Sequence, residues 1–122
     1  MPEYVLLMYQ PTDGGPRKAD GSVITDPEDF KAEHERWMRY EQDLRDAGLY
    51  LSNRGLAGAE TATTVRVRDA ETQITDGPFA ETKELLAGYF LIDAPDLDTA
   101  LEYAAKVPSA SYGSVEVRPV WG

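Results

Sequence analysis

Apolar residues recur at two different spacings along the chain, and these spacings predict where helices and strands lie. A nearly continuous apolar run at Glu3–Tyr9 predicts a central strand that is covered on both faces. Further on, Asp26 followed by Pro27 is typical of a helix start, and Gly48 is typical of a helix end. Between them, apolar positions at helical spacing form one face: Phe30, Trp37, Tyr40, Leu44 and Ala47.

The middle of the chain predicts a series of short strands. A brief strand at Leu49–Leu51 is followed by a predicted turn at Ser52–Gly55. Thr63–Arg68 alternates between apolar and polar residues, which predicts one arm of a hairpin whose other arm is Thr72–Thr75. Leu85–Ala94 is a second apolar run and predicts another buried strand.

The last part of the chain predicts a second helix and a final strand. Asp96 is suited to cap a helix that runs from Leu97 to about Val107. Ser114–Val120 alternates again and predicts the last strand. The inward face of the second helix is predicted to consist of Leu97, Leu101, Ala104 and Ala105.

This order of elements predicts an α+β fold, namely a ferredoxin-like βαββαβ plait with an added β-hairpin. We expect one domain over residues 1–122, with a long loop at residues 10–25 that is either a lid or binding loop or else a disordered segment or simple excursion. Both helices are expected to cover one face of an antiparallel sheet. Because the two apolar runs supply residues to the other face as well, we predict a homodimer that packs sheet to sheet.

Composition and charge exclude several classes of function. The 122 residues include no cysteine, which excludes disulfides, thiolate catalysis and cysteine-ligated metals. His34 is the one histidine, so a site that needs two histidines from one chain is excluded. A formal net charge of −10 without a basic patch predicts neither nucleic-acid nor membrane binding. Since no membrane-length apolar run or signal peptide is present in the sequence, we expect a cytoplasmic protein.

Two residues are candidates for acid–base chemistry. His34 falls at the border of the apolar helix face, where it is either a general acid or base at a pocket edge or a histidine with a structural partner. Asp76 begins the sequence Asp-Gly-Pro-Phe, in which the fixed φ of Pro78 and a core anchor at Phe79 are expected to form a rigid turn. That turn is either purely architectural or holds the Asp76 carboxylate in place as an acid or base.

Three charged residues are candidates for ligand binding. Lys83 is expected to contact an anionic group of a small ligand, and Arg54 is a lesser candidate for the same role. Glu81 is expected to pair with Lys83 or with a neighbouring strand. A solvated surface is the alternative for each of them, because exposed ion pairs are common and weak. The sequence contains no phosphate-binding glycine loop, nucleophile elbow or calcium loop, so we expect no cofactor and no metal.

The run Thr75–Glu84, followed by Leu86–Asp93, resembles the YCII-related family. More narrowly, it resembles the branch of that family that is named after its Asp-Gly-Pro-Phe (DGPF) motif. The resemblance extends over most of the chain outside the loop at residues 10–25. Further matching segments are Tyr4–Tyr9, Ala47–Gly48, Thr63–Arg68 and Gly113–Val120.

The resemblance implies a ferredoxin-like plait that dimerises into an α+β barrel, with a cleft between the sheet and the helices. It also implies a histidine–aspartate pair in that cleft, which falls by position on His34 and Asp76. Members of the branch often accompany extracytoplasmic-function sigma factors, which implies a sigma-factor-linked protein partner. Where the family has a small, glycine-rich stretch after the first helix, this chain has Leu49–Gly55, whose bulkier side chains are expected to narrow the pocket.

Two functions remain after these considerations, beside a purely structural domain in which the Asp-Gly-Pro-Phe motif only secures its loop. The first is a small-molecule-binding or regulatory dimer linked to sigma-factor-type transcription control. The alternative is a small cofactor-independent enzyme, isomerase-like or lyase-like, in which His34 moves a proton, Asp76 is its partner and Lys83 holds an anionic group. We place binding first, because the sequence offers one histidine with one partner rather than a complete catalytic set.

Overall fold

The computed structural model describes residues 2–11, 16–80 and 82–122. These residues contain two α-helices and six strands, with short 3₁₀ turns at Ala59–Thr61 and Pro108–Ser111. In chain order the elements are β1 (Glu3–Pro11), α1 (Pro27–Asp46), β2 (Tyr50–Gly55), β3 (Thr63–Arg68), β4 (Glu71–Asp76), β5 (Glu84–Asp93), α2 (Leu97–Ala104) and β6 (Ser114–Pro119).

Four of the strands form one antiparallel sheet in the order β2–β5–β1–β6. With the two helices, this arrangement is consistent with a ferredoxin-like α+β fold. Leu6 of β1 lies opposite Phe90 of β5 on one side and opposite Val117 of β6 on the other. The remaining strands, β3 and β4, pair only with each other in a separate two-stranded sheet.

The core lies between the four-stranded sheet and the two helices. Because side chains alternate along a strand, every second residue of the two central strands points toward the helices. The buried cluster includes Leu6, Phe90 and Ile92 from the sheet, Tyr40 and Leu44 from α1, and Ala100 and Ala104 from α2. Both helices therefore cover the same face of the sheet.

Both predicted helix caps are confirmed. The side chain of Asp26 accepts a hydrogen bond from the amide of Glu28 at 2.9 Å, and that of Asp96 accepts one from the amide of Thr99 at 2.8 Å. Each carboxylate satisfies an amide that the first helical turn leaves without a partner. The starts of both helices are thus set by local sequence.

Two predictions about the middle and end of the chain are wrong. Ser52–Gly55 is not a turn, because Asn53 and Arg54 pair with β5 and extend β2 to Gly55. Of the residues predicted to face inward from the second helix, Leu97, Leu101 and Ala105 are exposed, the first two at 48% and 46%. Ala104 is buried as predicted, together with Ala100. Pairing with a central strand overrides the local turn signal.

The face of the sheet opposite the helices, called the open face below, also carries apolar side chains. Residues directly opposite each other in a ladder point to the same side of the sheet. Leu7 is paired with Tyr89, and Val5 with Leu91, and all four are partly exposed. No helix among the described residues is both long and apolar enough to cross a membrane.

Candidate functional site

A cleft of about 830 Å³ opens between α1 and one end of the four-stranded sheet. This volume lies within the range of small-molecule binding sites. Helix α1 contributes one wall, and the ends of β1, β2 and β5 contribute another. Residues 56–60, which follow β2, also line the cleft, as do Pro16 and Arg17.

The apolar part of the cleft is built around two aromatic rings. The rings of Trp37 on α1 and Phe90 on β5 are nearly parallel, with an interplanar angle of 2° and centroids 6.3 Å apart. Tyr40 meets Phe90 edge-on at 5.1 Å and belongs to the core beneath. Such edge-on and stacked contacts fix ring orientation beyond simple burial. The cleft therefore presents a preformed apolar surface at the partly exposed Trp37 ring, whose orientation the buried Phe90 ring fixes.

A buried carboxylate holds this surface in place. Glu33 is only 6% exposed, and its Oε1 accepts a hydrogen bond from the Trp37 indole at 3.0 Å. Its Oε2 accepts a hydrogen bond from Arg36 at 2.7 Å, and Arg36 also donates to the carbonyl of Pro108 at 3.2 Å. Because an unpaired buried carboxylate is costly, these two donors are what allow Glu33 to occupy this position. The network connects α1 to the turn that precedes β6.

Tyr112 lines the cleft close to this carboxylate. Burial raises the pKa of the Tyr112 hydroxyl, and the neighbouring Glu33 charge raises that pKa further. Both effects disfavour the charged phenolate. The shift has the same direction as the ordinary preference of a tyrosine at neutral pH, which is to keep its proton, so the hydroxyl can donate a hydrogen bond.

The described part of the long loop packs against the same side of the molecule. Ala19 accepts a hydrogen bond through its carbonyl from the Ser111 hydroxyl at 2.8 Å, and Ile24 is 5% exposed. Lys18 forms an ion pair with Asp29 of α1 at 3.0 Å. Residues 16–25 are therefore fixed to α1 and to the turn after α2, and the first two of them, Pro16 and Arg17, line the cleft. The prediction for residues 12–15 falls outside the described part of the chain.

The YCII-related domain family matches residues 4–122, which is nearly the whole chain. The chain belongs to the YCII-related domain family. It is also 43% identical over 96 residues to the "Uncharacterized protein R00369" of Rhizobium meliloti (strain 1021). That match covers 74% of this chain and 77% of the relative.

In this YCII-related domain, two of the predicted site residues contribute to the cleft. His34 is exposed on the wall formed by α1. Arg54 belongs to the rim, and it lies opposite Tyr89, which places its side chain on the open face of the sheet. The Arg54 guanidinium donates to the carbonyl of Asn53 at 2.6 Å.

The other predicted site residues lie elsewhere. Asp76 is exposed at the end of β4, Lys83 is exposed before β5, and neither lines the cleft. No hydrogen bond or ion pair within the described ranges joins His34 to Asp76. Glu81 lies outside the described residues.

The backbone of the Asp-Gly-Pro-Phe segment is hydrogen-bonded to a side chain of the hairpin and to the residue that precedes the hairpin. The Gly77 amide donates to Ala62 at 2.7 Å, and the Gly77 carbonyl accepts from Thr64 at 2.7 Å. Gly77 has a φ of +94°, which favours glycine at this position. The predicted core anchor is wrong, because Phe79 is 77% exposed. The hairpin stands apart from the four-stranded sheet, so no core lies next to this ring.

No group of three His, Asp or Glu side chains in the described part of this domain is arranged to hold a metal ion. Two of the carboxylates that line the cleft pair with arginines of α1. Glu33 pairs with Arg36 at 2.7 Å, and Glu41 with Arg45 at 3.2 Å.

The interpretation of the sequence missed Glu33, although a signal for it was present. Positions 33, 37, 40 and 44 share one face at helical spacing, and Glu33 is the charged member of that apolar set. A charged residue within an apolar stripe requires a buried partner. That requirement could have identified Glu33 from the sequence.

Glu33→Ala is expected to lower the free energy of unfolding by about 1–3 kcal/mol, because it leaves the Trp37 indole and Arg36 without their acceptor. Glu35→Ala is the matched control, since Glu35 is exposed on the same helix, and it should change stability by less than about 0.5 kcal/mol. Urea denaturation of both variants measures the difference. Equal stability of the two variants would show that the Glu33 network has no structural role.

Proposed function

We propose that this domain binds a small molecule with a flat, largely apolar body in the cleft between α1 and the sheet. The observation that carries the proposal is the Trp37 ring on the cleft wall, which is partly exposed and is held parallel to the buried Phe90 ring. Binding sites of this size are lined mainly by apolar and aromatic side chains, with a few polar groups that orient the ligand. The apolar lining includes Met8, Met38, Leu56 and Leu85.

The charges of the cleft are compatible with a neutral or anionic ligand. Glu33 and Glu41 each form an ion pair with an arginine of α1. Their negative charges are therefore partly neutralised and repel an anionic group less than free carboxylates would. This supports the expectation of a small anionic ligand in spite of the net charge of −10.

Acid–base catalysis in the same cleft is the second candidate function. The observation that favours it is the position of the His34 ring on the cleft wall. An imidazole there is suited to exchange a proton with a bound molecule. The proposed partner Asp76 lies outside the cleft lining, so binding has the stronger support.

Three finer assignments rest on sequence alone. We propose from Asp76–Phe79 that the chain falls in the DGPF branch of the family. The sigma-factor-linked partner and the cytoplasmic location stay predictions. The described surface offers no feature specific to either.

Small aromatic compounds should bind next to Trp37 and not next to Trp121, which is fully exposed near the end of the chain. The two indole N–H groups give separate signals in a ¹H–¹⁵N NMR spectrum, and Trp121 serves as an internal control. We expect bicyclic aromatic fragments to shift the Trp37 signal in a saturable way and to leave the Trp121 signal in place. If fragments at millimolar concentration move neither signal, or both alike, the cleft is not a binding site.

We also propose that two copies of the chain pack through their open faces. Val5, Leu7, Tyr89 and Leu91 form an apolar surface across the two central strands. An apolar patch at the centre of a sheet face is typical of a surface that is buried in an assembly. A dimer of this kind would be an α+β barrel, which is the family expectation.

Leu7→Lys should convert this dimer to a monomer, because it places a charge at the centre of the open face. It also lowers the net negative charge of the chain, so dissociation could not be attributed to greater overall repulsion. Leu101→Lys is the control, because Leu101 is exposed on α2, on the other side of the sheet. Light scattering at micromolar concentration should give a dimer mass for the wild type and the control. A monomeric wild type would contradict the proposal.

A further inference from the structure

We infer that the molecule bound in the cleft carries an acceptor oxygen, as a carbonyl or a carboxylate, and that the side-chain amide of Asn53 donates to it. This inference rests on the proposed function and specifies the chemical class of its ligand. It assigns a binding role to a residue of β2 that lies at the meeting point of sheet and helix.

Asn53 is placed in the cleft by the register of the sheet. It lies opposite Phe90 in the ladder of β2 and β5. Phe90 points toward the helices and is 1% exposed, and directly opposed residues share a face. Asn53 therefore points to the helix side of the sheet, and it lines the cleft together with Trp37 and Phe90.

The orientation of the Asn53 amide is set by a neighbouring tyrosine. The Tyr50 hydroxyl donates to Oδ1 of Asn53 at 2.7 Å. The Tyr50 ring is itself held by the Arg45 guanidinium, which lies 4.0 Å from the ring centroid. Because the oxygen is engaged by Tyr50, the amide nitrogen with its two N–H donors is turned away from Tyr50. Within the described residues, no protein acceptor bonds to that nitrogen.

Two further groups that line the cleft, Tyr112 and Glu33, are compatible with an acceptor on the ligand. Tyr112 keeps its proton and can donate. Both oxygens of Glu33 already accept hydrogen bonds, from Trp37 and Arg36. A ligand with an acceptor oxygen would satisfy the Asn53 donors, whereas a ligand with only an ammonium group would place donors against donors.

Four probes with the same bicyclic body test this inference. Indane has no polar group, 1-indanone has a carbonyl, 1-indanecarboxylate has a carboxylate and 1-aminoindane has an ammonium group. We expect 1-indanone and the carboxylate to bind the wild type about fivefold to tenfold more tightly than the other two, as one added hydrogen bond would give. Titration of the Trp37 indole signal by NMR measures all four affinities.

Asn53→Asp is the decisive variant. It keeps the oxygen that accepts from Tyr50 and replaces the donors with a second acceptor, so the preference for 1-indanone should disappear and the carboxylate should bind least. Gln73→Glu is the matched control, because it makes the same amide-to-carboxylate change at an exposed position of the hairpin. The control should retain the wild-type order of affinities. Asn53→Leu, which removes the donors without adding charge, should also abolish the preference.

The outcomes separate the two proposals. If the wild type binds all four probes equally, or if Asn53→Asp keeps the preference for 1-indanone, the role of Asn53 is overturned while binding in the cleft stands. If no probe moves the Trp37 signal of the wild type, binding in the cleft and the role of Asn53 are both overturned.

Discussion

The Glu33 carboxylate is buried on the inner side of α1, where it accepts hydrogen bonds from Trp37 and Arg36. A buried charge of this kind is stable only with its donors in place, so it constrains both of them. It orients the Trp37 ring against Phe90, and through Arg36 it ties the helix to the carbonyl of Pro108. The shape of the cleft therefore depends on one buried carboxylate, Glu33, and on the hydrogen bonds that it accepts within an apolar interface.

Much of the fold could be predicted because its signals are local or periodic. The apolar run of β1, the helical spacing on α1 and the capping residue Asp26 each indicate their element without reference to the rest of the chain. The extension of β2 to Gly55 could not be found in this way, because it depends on pairing with β5, some 35 positions further along. The exposure of Leu97 also depends on tertiary packing, because the side of α2 that faces the sheet determines which residues of the helix are buried.

The candidate site was predictable only in part. His34 was identified because it is unique in the sequence, and it lies on the cleft. Asp76 was chosen for its motif, and that motif bonds to the hairpin rather than to the cleft. The role inferred for Asn53 has no local signature, since it follows from the register of β2 against β5 and from the nearby hydroxyl of Tyr50. Residues whose role is set by tertiary pairing are those that pattern reasoning misses.

Hydrogen exchange of the two indole N–H groups tests the role of Glu33 most directly. The Trp37 indole donates to a carboxylate that is 6% exposed, whereas the Trp121 side chain is fully exposed and serves as the reference in the same molecule. The structure predicts that the Trp37 indole proton exchanges with solvent at least about tenfold more slowly than that of Trp121. Equal exchange rates for the two protons would contradict the account, because the cleft wall would then lack the contact that holds it in place.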